Sequence, residues 1–131
     1  MLKLKKINTQ QEINNAVLQE RYHKSSSPRT RDFIALSGDT EAGLLVYEDW
    51  GKPEGFIFEI FVLSDFRNRG VGSWILSQAD NIAAKLGHIK IRLDARSLDW
   101  DERTHEELAC WYERNGYIRV NTNVGTLEKK L

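Results

Sequence analysis

The stretch FRNRGVGSWIL, Phe66 to Leu76, decides how the chain is read. It sets two arginines and two glycines just ahead of Val71, Ile75, Ala79, Ile82 and Leu86, whose spacing predicts one face of a helix ending at Gly87. The preceding run, FIFEIFVL (56 to 63), has the composition of a strand. Gly70 and Gly72 therefore stand where strand gives way to helix. There the backbone can approach a ligand, and the first helical N–H groups and the positive end of the helix dipole face it. Such a loop suits phosphate, and Arg67 and Arg69 suit a pyrophosphate better than a single carboxylate. Glycine spacing alone leaves a second reading open, a solvent-facing turn with two arginines.

Outward from this loop, HIKIRLDA (88 to 95) alternates as a strand does. Strand, helix and strand in that order favour a right-handed parallel crossover, with the loop at the carboxyl end of the first strand, where ligands commonly sit. Upstream, three β-rich runs at about 32–37, 42–49 and 55–63 are separated by SGDTEAG and DWGKPEG, which predicts an antiparallel meander. LKLKKI (2 to 7) is a further strand. Thr9, Gln10, Gln11 and Glu12 read as a capping box, and Ile13, Val17, Leu18 and Tyr22 continue it as a helix over about 10–22. YHKSSSPRTR (22 to 31) is then a basic loop. A helix over about 101–115, with Leu108, Trp111 and Tyr112 on one side and Gly116 as its stop, precedes two short strands, YIRV and TLEKKL. The predicted class is mixed α/β (α+β): a mostly antiparallel central sheet flanked by helices, with one β-α-β crossover at the glycine loop.

A chain of 131 residues is read as a single domain over 1–131. Its 19 basic and 19 acidic residues cancel, so nothing global draws it to nucleic acid or to a membrane surface. The start MLKLKKINTQQ has no apolar core of a signal peptide, and no stretch approaches the ~20 apolar residues of a membrane span. Cys110 is the only cysteine, which rules out an internal disulfide and a cysteine cluster for zinc, and favours the cytoplasm. It reads as a small buried hydrophobe. His23, His88 and His105 are scattered without metal-ligand spacing and are assigned surface or capping roles, so no metal is expected. Trp50, Trp74, Trp100 and Trp111 are assigned to core or rim packing.

Two other phosphate loops can be weighed against these residues. A Walker loop needs Lys-Ser or Lys-Thr after its second glycine, and Gly72 is followed by Ser73 and Trp74. A dinucleotide-binding fingerprint fares better, because Asp94 ends the next strand where a ribose-binding acid would belong; against it, Ile75 occupies the third glycine position.

Arg67-Asn68-Arg69-Gly70-Val71-Gly72 resembles the Arg/Gln-x-x-Gly-x-Gly/Ala signature of the GCN5-related N-acetyltransferases (GNAT), set between a strand and a helix as in that family. Ala109 to Tyr117, ACWYERNGY, is similar to the family's late helix, with a tyrosine four residues before a glycine. The resemblance implies a GNAT-like fold that takes acetyl-CoA as co-substrate. Its pyrophosphate would lie on Arg67, Asn68, Arg69, Gly70, Val71, Gly72 and Ser73, and its pantetheine arm along the strand ending at Val62 and Leu63, where two strands splay. Ser64 stands where the family often has proline, and His105 where it often has asparagine. The first helical region is short for the family's usual second helix.

Acetyl transfer to an amine needs a deprotonated nitrogen, a stabilised oxyanion and a proton for the departing thiolate. The resemblance implies that Tyr112 is that acid; helical spacing with Leu108 equally permits a packed core tyrosine. A backbone N–H near Leu63 is the expected oxyanion donor. Glu59, a charge inside an apolar run, is either a base made by burial or a residue on the solvent side of its strand. The acceptor is an amine of unassigned identity, a small molecule or a peptide, and a homodimer is left open. Trp50 would end a strand near the acceptor. GDTE and YEDW could attract a cationic amine, and the basic loop 21–31 an acidic peptide or phosphate-bearing acceptor. The competing readings are a non-catalytic acyl-CoA-binding module and a small dinucleotide-binding domain.

Overall fold

The computed structural model describes residues 1–95, 104–120 and 125–131. Seven strands form one sheet: β1 (Leu2–Ile7), β2 (Thr30–Ser37), β3 (Thr40–Asp49), β4 (Glu54–Val62), β5 (Lys90–Asp94), β6 (Ile118–Arg119) and β7 (Thr126–Lys130), in the order β1-β2-β3-β4-β5-β7-β6. Only β4 and β5 are parallel, and helix α2 (Val71–Lys85) is their crossover. The mostly antiparallel sheet was legible in the short turn signals, and this strand order is not that of a doubly wound dinucleotide fold. Asp94, the proposed ribose acid, accepts a hydrogen bond from Thr126 Oγ1 at 3.0 Å.

Apolar side chains divide between the two faces of the sheet. On one face α2 and α3 (His105–Arg114) bury Leu45, Tyr47, Ile57, Ile75, Ile91 and Leu93. On the other, α1 (Ala16–Ser25) covers Ile7, Ile34, Leu44 and Val46 with Leu18 and Tyr22. α1 departs from its predicted span. The Thr9–Glu12 turn forms, Glu12 accepting from the Asn8 and Thr9 N–H groups at 2.6 and 2.7 Å, but it closes only a three-residue 3₁₀ turn. Ile13 is then extended and 1 % exposed, and Asn15 starts the helix by accepting from Val17 N and Leu18 N. The Glu41 carboxylate, from the start of β3, holds the N–H groups of Asn14 and Asn15. Burying a side chain like Ile13 is worth about 1.5–3 kcal/mol, more than the propensity gained by continuing a helix through it. No helix among the described residues is long and apolar enough to cross a membrane.

Register is interrupted once in β4. Val46 pairs with Glu59 while Tyr47 pairs with Ile57, leaving Phe58 as an extra residue. Such a bulge bends its strand and changes which face the following side chains occupy. Ile57 lies on the α2 face; simple alternation would return Glu59 to that face, and the bulge puts it under α1 instead. Pairing with β5 ends at the same place, Ile57 with Leu93 being the last register.

At the other end of these strands His88, assigned a surface or capping role from the sequence, is 3 % exposed. Its Nδ1 lies 2.7 Å from the Tyr47 hydroxyl and its Nε2 2.8 Å from Asp49 Oδ1. Because an ionised carboxylate only accepts, Nε2 carries a proton, and in the neutral ring Nδ1 accepts from Tyr47. Burial, with Asp49 and Asp80 nearby, pushes the Tyr47 hydroxyl well above the usual phenol range, so it remains a donor. A Cβ on Gly55 would lie 1.8 Å from the Tyr47 hydroxyl oxygen and 2.6 Å from His88 Nδ1.

Gly55→Ala is therefore expected to destabilise by about 1–3 kcal/mol, as other overpacked sites do. Its cost and that of Tyr47→Phe should be less than additive in the double variant, measured by denaturant unfolding, because both disturb one contact. Acid should also weaken this corner. The Gly51 N–H and then His88 hold the Asp49 carboxyl below its ordinary value of 3.8. Its contribution is thus complete above that value and lost as pH falls through the lower folded-state value. The difference in stability between the wild type and Asp49→Asn should shrink over that acid window in pH-dependent unfolding.

Candidate active site

The loop between β4 and α2 opens with a short 3₁₀ turn at Ser64–Phe66 and ends at Gly70, which caps α2 in a left-handed conformation (φ 79°). Asn68 also takes positive φ, 61°. Gly70 has no side chain to cap the helix, and the space where its Cβ would be is empty to 4 Å. The first N–H groups of α2, at Val71, Gly72 and Ser73, thus start a 15-residue helix at an open, positively polarised end. Arg67 and Arg69 flank this end, with their guanidinium carbons 5.5 Å from the Phe61 ring and 5.8 Å from the Phe66 ring, respectively.

Gly72 has a second reason to be glycine, one the loop motif does not reveal. A Cβ there would meet Trp111 of α3 at 3.0 Å and Val62 at 3.8 Å. Trp111 thereby ties α3 to the first turn of α2, which itself lies beside Val62 at the end of β4. Tyr112 is beside it, 5 % exposed, its ring 4.9 Å from Trp111 and 5.7 Å from Tyr117 in edge-to-face contacts. The structure brings together Val62, the glycine loop and, through Trp111, Tyr112.

Backbone polarity at the end of β4 distinguishes among the N–H groups near Leu63. The Leu63 N–H donates to Ala42 O at 2.9 Å across β3, so it already has a partner. That bond makes Val62 and Gly43 a non-hydrogen-bonded pair, and alternation turns both the N–H and the C=O of Val62 away from β3, toward β5. β5 no longer pairs there. The Val62 carbonyl accepts from Arg67 Nε at 3.0 Å, and the Val62 N–H faces the gap between the strands.

Glu59 is neither on a solvent face nor beside Tyr112. It is 8 % exposed beneath α1, where Arg21 Nη1 lies 3.1 Å from Oε1 and Ser25 Oγ donates to Oε2 at 2.6 Å. The Arg21 guanidinium also lies 4.1 Å from the centre of the Phe61 ring. Sequence reasoning missed both partners. Their i, i+4 spacing on α1 was the available signal, hidden by a helix end predicted three residues early. Glu59 and Tyr112 approach the sheet from opposite faces.

Other assignments shift more modestly. Cys110 is half-buried on α3, with Sγ 3.8 Å from Glu106 and 3.6 Å from Arg119, and is not a core hydrophobe. Trp50 is 48 % exposed and stacks on Phe56 at 4.9 Å, a rim position. Trp100 and the predicted helix start at 101–103 lie outside the described residues. Among the described residues no group of three or more His, Cys, Asp or Glu is placed to hold a metal ion.

Gly72→Val should both lower stability by about 1–3 kcal/mol and disturb the loop, because the branched side chain displaces Trp111. Gly70→Ala should cost about 1 kcal/mol from positive φ alone. Thermal unfolding of the two variants tests this order, and equal losses would show that Trp111 does not press on Gly72.

This geometry has parallels among known proteins. A family model described as an acetyltransferase (GNAT) domain matches residues 29–119. No curated protein sequence matches the chain significantly. Among solved structures, an IAA acetyltransferase from Bacillus cereus superposes with a TM-score of 0.73 at 17 % identity, over 100 % of both chains. A GNAT family acetyltransferase from Elizabethkingia anophelis with acetyl-CoA bound gives 0.68 at 15 %, over 99 % of this chain and 98 % of that one. The ribosomal-protein-S18-alanine N-acetyltransferase from Escherichia coli gives 0.69 at 15 %, over 99 % and 94 %. At these identities the structures speak for the fold alone, whereas the family model spans more than half of the chain. With a β-α-β crossover, an open helix N-terminus behind the Arg67–Gly72 loop and a strand gap beside it, the chain belongs to the GNAT family of acetyltransferases.

Proposed function

We propose that the protein is an acetyl-CoA-dependent N-acetyltransferase acting on a primary amine. The observation that carries this is the β4–β5 gap, with the Val62 N–H turned into it and the uncapped start of α2 beside it. The residues fit the co-substrate: helix amides and the Arg67 and Arg69 guanidiniums suit a pyrophosphate, and a strand edge without its neighbour suits the amide groups of a pantetheine arm. When bound, acetyl-CoA supplies an acyl carbonyl activated as a thioester.

The chain's own groups then divide the work. The Val62 N–H donates to an oxygen in the gap, a fixed dipole that needs no reorganisation as charge develops there. Glu59, oriented by Arg21 and Ser25, accepts a proton from the amine or holds it as ammonium. Tyr112 keeps a proton at its Oη for the leaving sulfur. Acid and base come from opposite faces of the sheet, so that one serves the leaving sulfur and the other the amine. A lone cysteine suits a reducing setting such as the cytoplasm.

Acetyl-CoA at 100 times its dissociation constant should add about 2.7 kcal/mol to stability, while NAD should add nothing. Tyr112→Phe should keep that stabilisation and lower kcat by about 10²- to 10⁴-fold, followed by mass detection of acetylated amines. Unchanged kcat, with chemistry rate-limiting, would return Tyr112 to a packing role. Acetyl-CoA binding without turnover across a broad amine panel would favour the non-catalytic module.

A further inference from the structure

The link from α1 to β2 is only residues 26–29, and beside it opens a cleft of about 760 Å³. It is lined by the end of β1, the start of β2 and the end of β3, together with Tyr22 of α1. The Arg67–Gly72 loop follows β4, antiparallel to β3, so it lies at the opposite end of the sheet. Asp32 lines the cleft in register with Val46, which separates it from Glu59 on the same face by two strand spacings, about 10 Å.

Asp32 is the anomaly here. It is 6 % exposed, and its Oδ1 is buried without a hydrogen-bond partner. Burial pushes its carboxyl above the ordinary range, against a smaller opposing effect of Thr30. An apolar residue at this position would be more stable, and native proteins seldom leave such an atom unsatisfied. Two cations line the same cleft, Lys6 and Arg29, and neither has an ion pair among the described residues. Arg31 already lies 3.9 Å from Asp49.

We propose that this cleft is a second ligand site, distinct from the acetyl-transfer gap, and that it takes a small zwitterion such as a free α-amino acid. The ammonium would bind Asp32, and the carboxylate would bind Arg29 and Lys6. A simple anion such as phosphate would meet the buried Asp32, and a simple amine would meet two unpaired cations. A molecule carrying both charges satisfies each, and the volume falls in the range of small-molecule sites.

The test is thermal shift of the full chain against the common L-α-amino acids and γ-aminobutyrate, presented singly. Acetate and methylammonium at the same concentration and ionic strength are the controls. At least one zwitterion should raise Tm where neither control does. Asp32→Asn should abolish that shift while leaving the ligand-free protein at least as stable at neutral pH. Arg29→Ala, an exposed loop change that spares the fold, should weaken binding by about tenfold or more, the effect of losing one charge-assisted hydrogen bond. Both variants should bind acetyl-CoA as the wild type does. No response to any zwitterion would overturn the proposal. So would a response that survives Asp32→Asn, because the ligand would then sit elsewhere, including the acceptor position. If Asp32→Asn does not fold, Arg29→Ala decides: undiminished zwitterion binding sinks the site. Failure of acetyl-CoA to bind would count against the acetyltransferase reading and leave this site untouched.

Discussion

One extra residue in β4, Phe58, is the constraint on which the site depends. A parallel pair of strands ordinarily uses every backbone group on its shared edge. Here β4 bends at the bulge, β5 stops pairing, and the Val62 N–H and C=O are left facing a gap inside an otherwise continuous sheet. The same residue moves Glu59 from the α2 face to the α1 face. An unpaired strand edge and a buried carboxylate under α1 thus follow from a single insertion in register.

The elements around the gap are held by three contacts, two of which depend on a glycine. Gly72 lets Trp111 lie against α2, which positions α3 and Tyr112 relative to Val62. Gly55 leaves room for the Tyr47–His88–Asp49 chain at the base of β4, so the paired half of the β4–β5 interface is rigid where the other half is open. Arg21 reaches from α1 to Glu59 and Phe61, linking the helix on one face to the strand that borders the gap. Each contact is a packing requirement first and a positioning device second.

The Arg67–Gly72 loop and the Asp32 cleft mark the two ends of the sheet, and they differ in how charge is treated. At the loop, positive groups beside the open end of a helix are partly exposed, and water screens their repulsion without a ligand. At the cleft a carboxylate oxygen is buried and unpaired, which costs stability in the empty protein. A protein tolerates such a cost where binding repays it; Asp80 Oδ1 and Glu128 Oε2 are also buried without a hydrogen bond, but both carboxylates have a lysine ion pair, and Asp32 has none among the described residues.

Much of this was written in the sequence. Alternation in LKLKKI and HIKIRLDA, the turn residues between β2, β3 and β4, and the glycines at 70, 72 and 87 specify strands, turns and helix ends by local sterics, and these act within a few residues. Tertiary structure decided the rest, because the deciding partners are distant in the chain. The α1 start moved from Gln10 to Ala16 because Ile13 enters the core and Glu41 holds the Asn14 and Asn15 amides. His88 became buried because Tyr47 and Asp49 satisfy both its nitrogens. The N–H turned into the gap is that of Val62, because Ala42 takes the Leu63 N–H. A sequence read locally records which backbone shapes are cheap; which hydrogen bonds are already occupied is known only when strands far apart in the chain come within 3 Å.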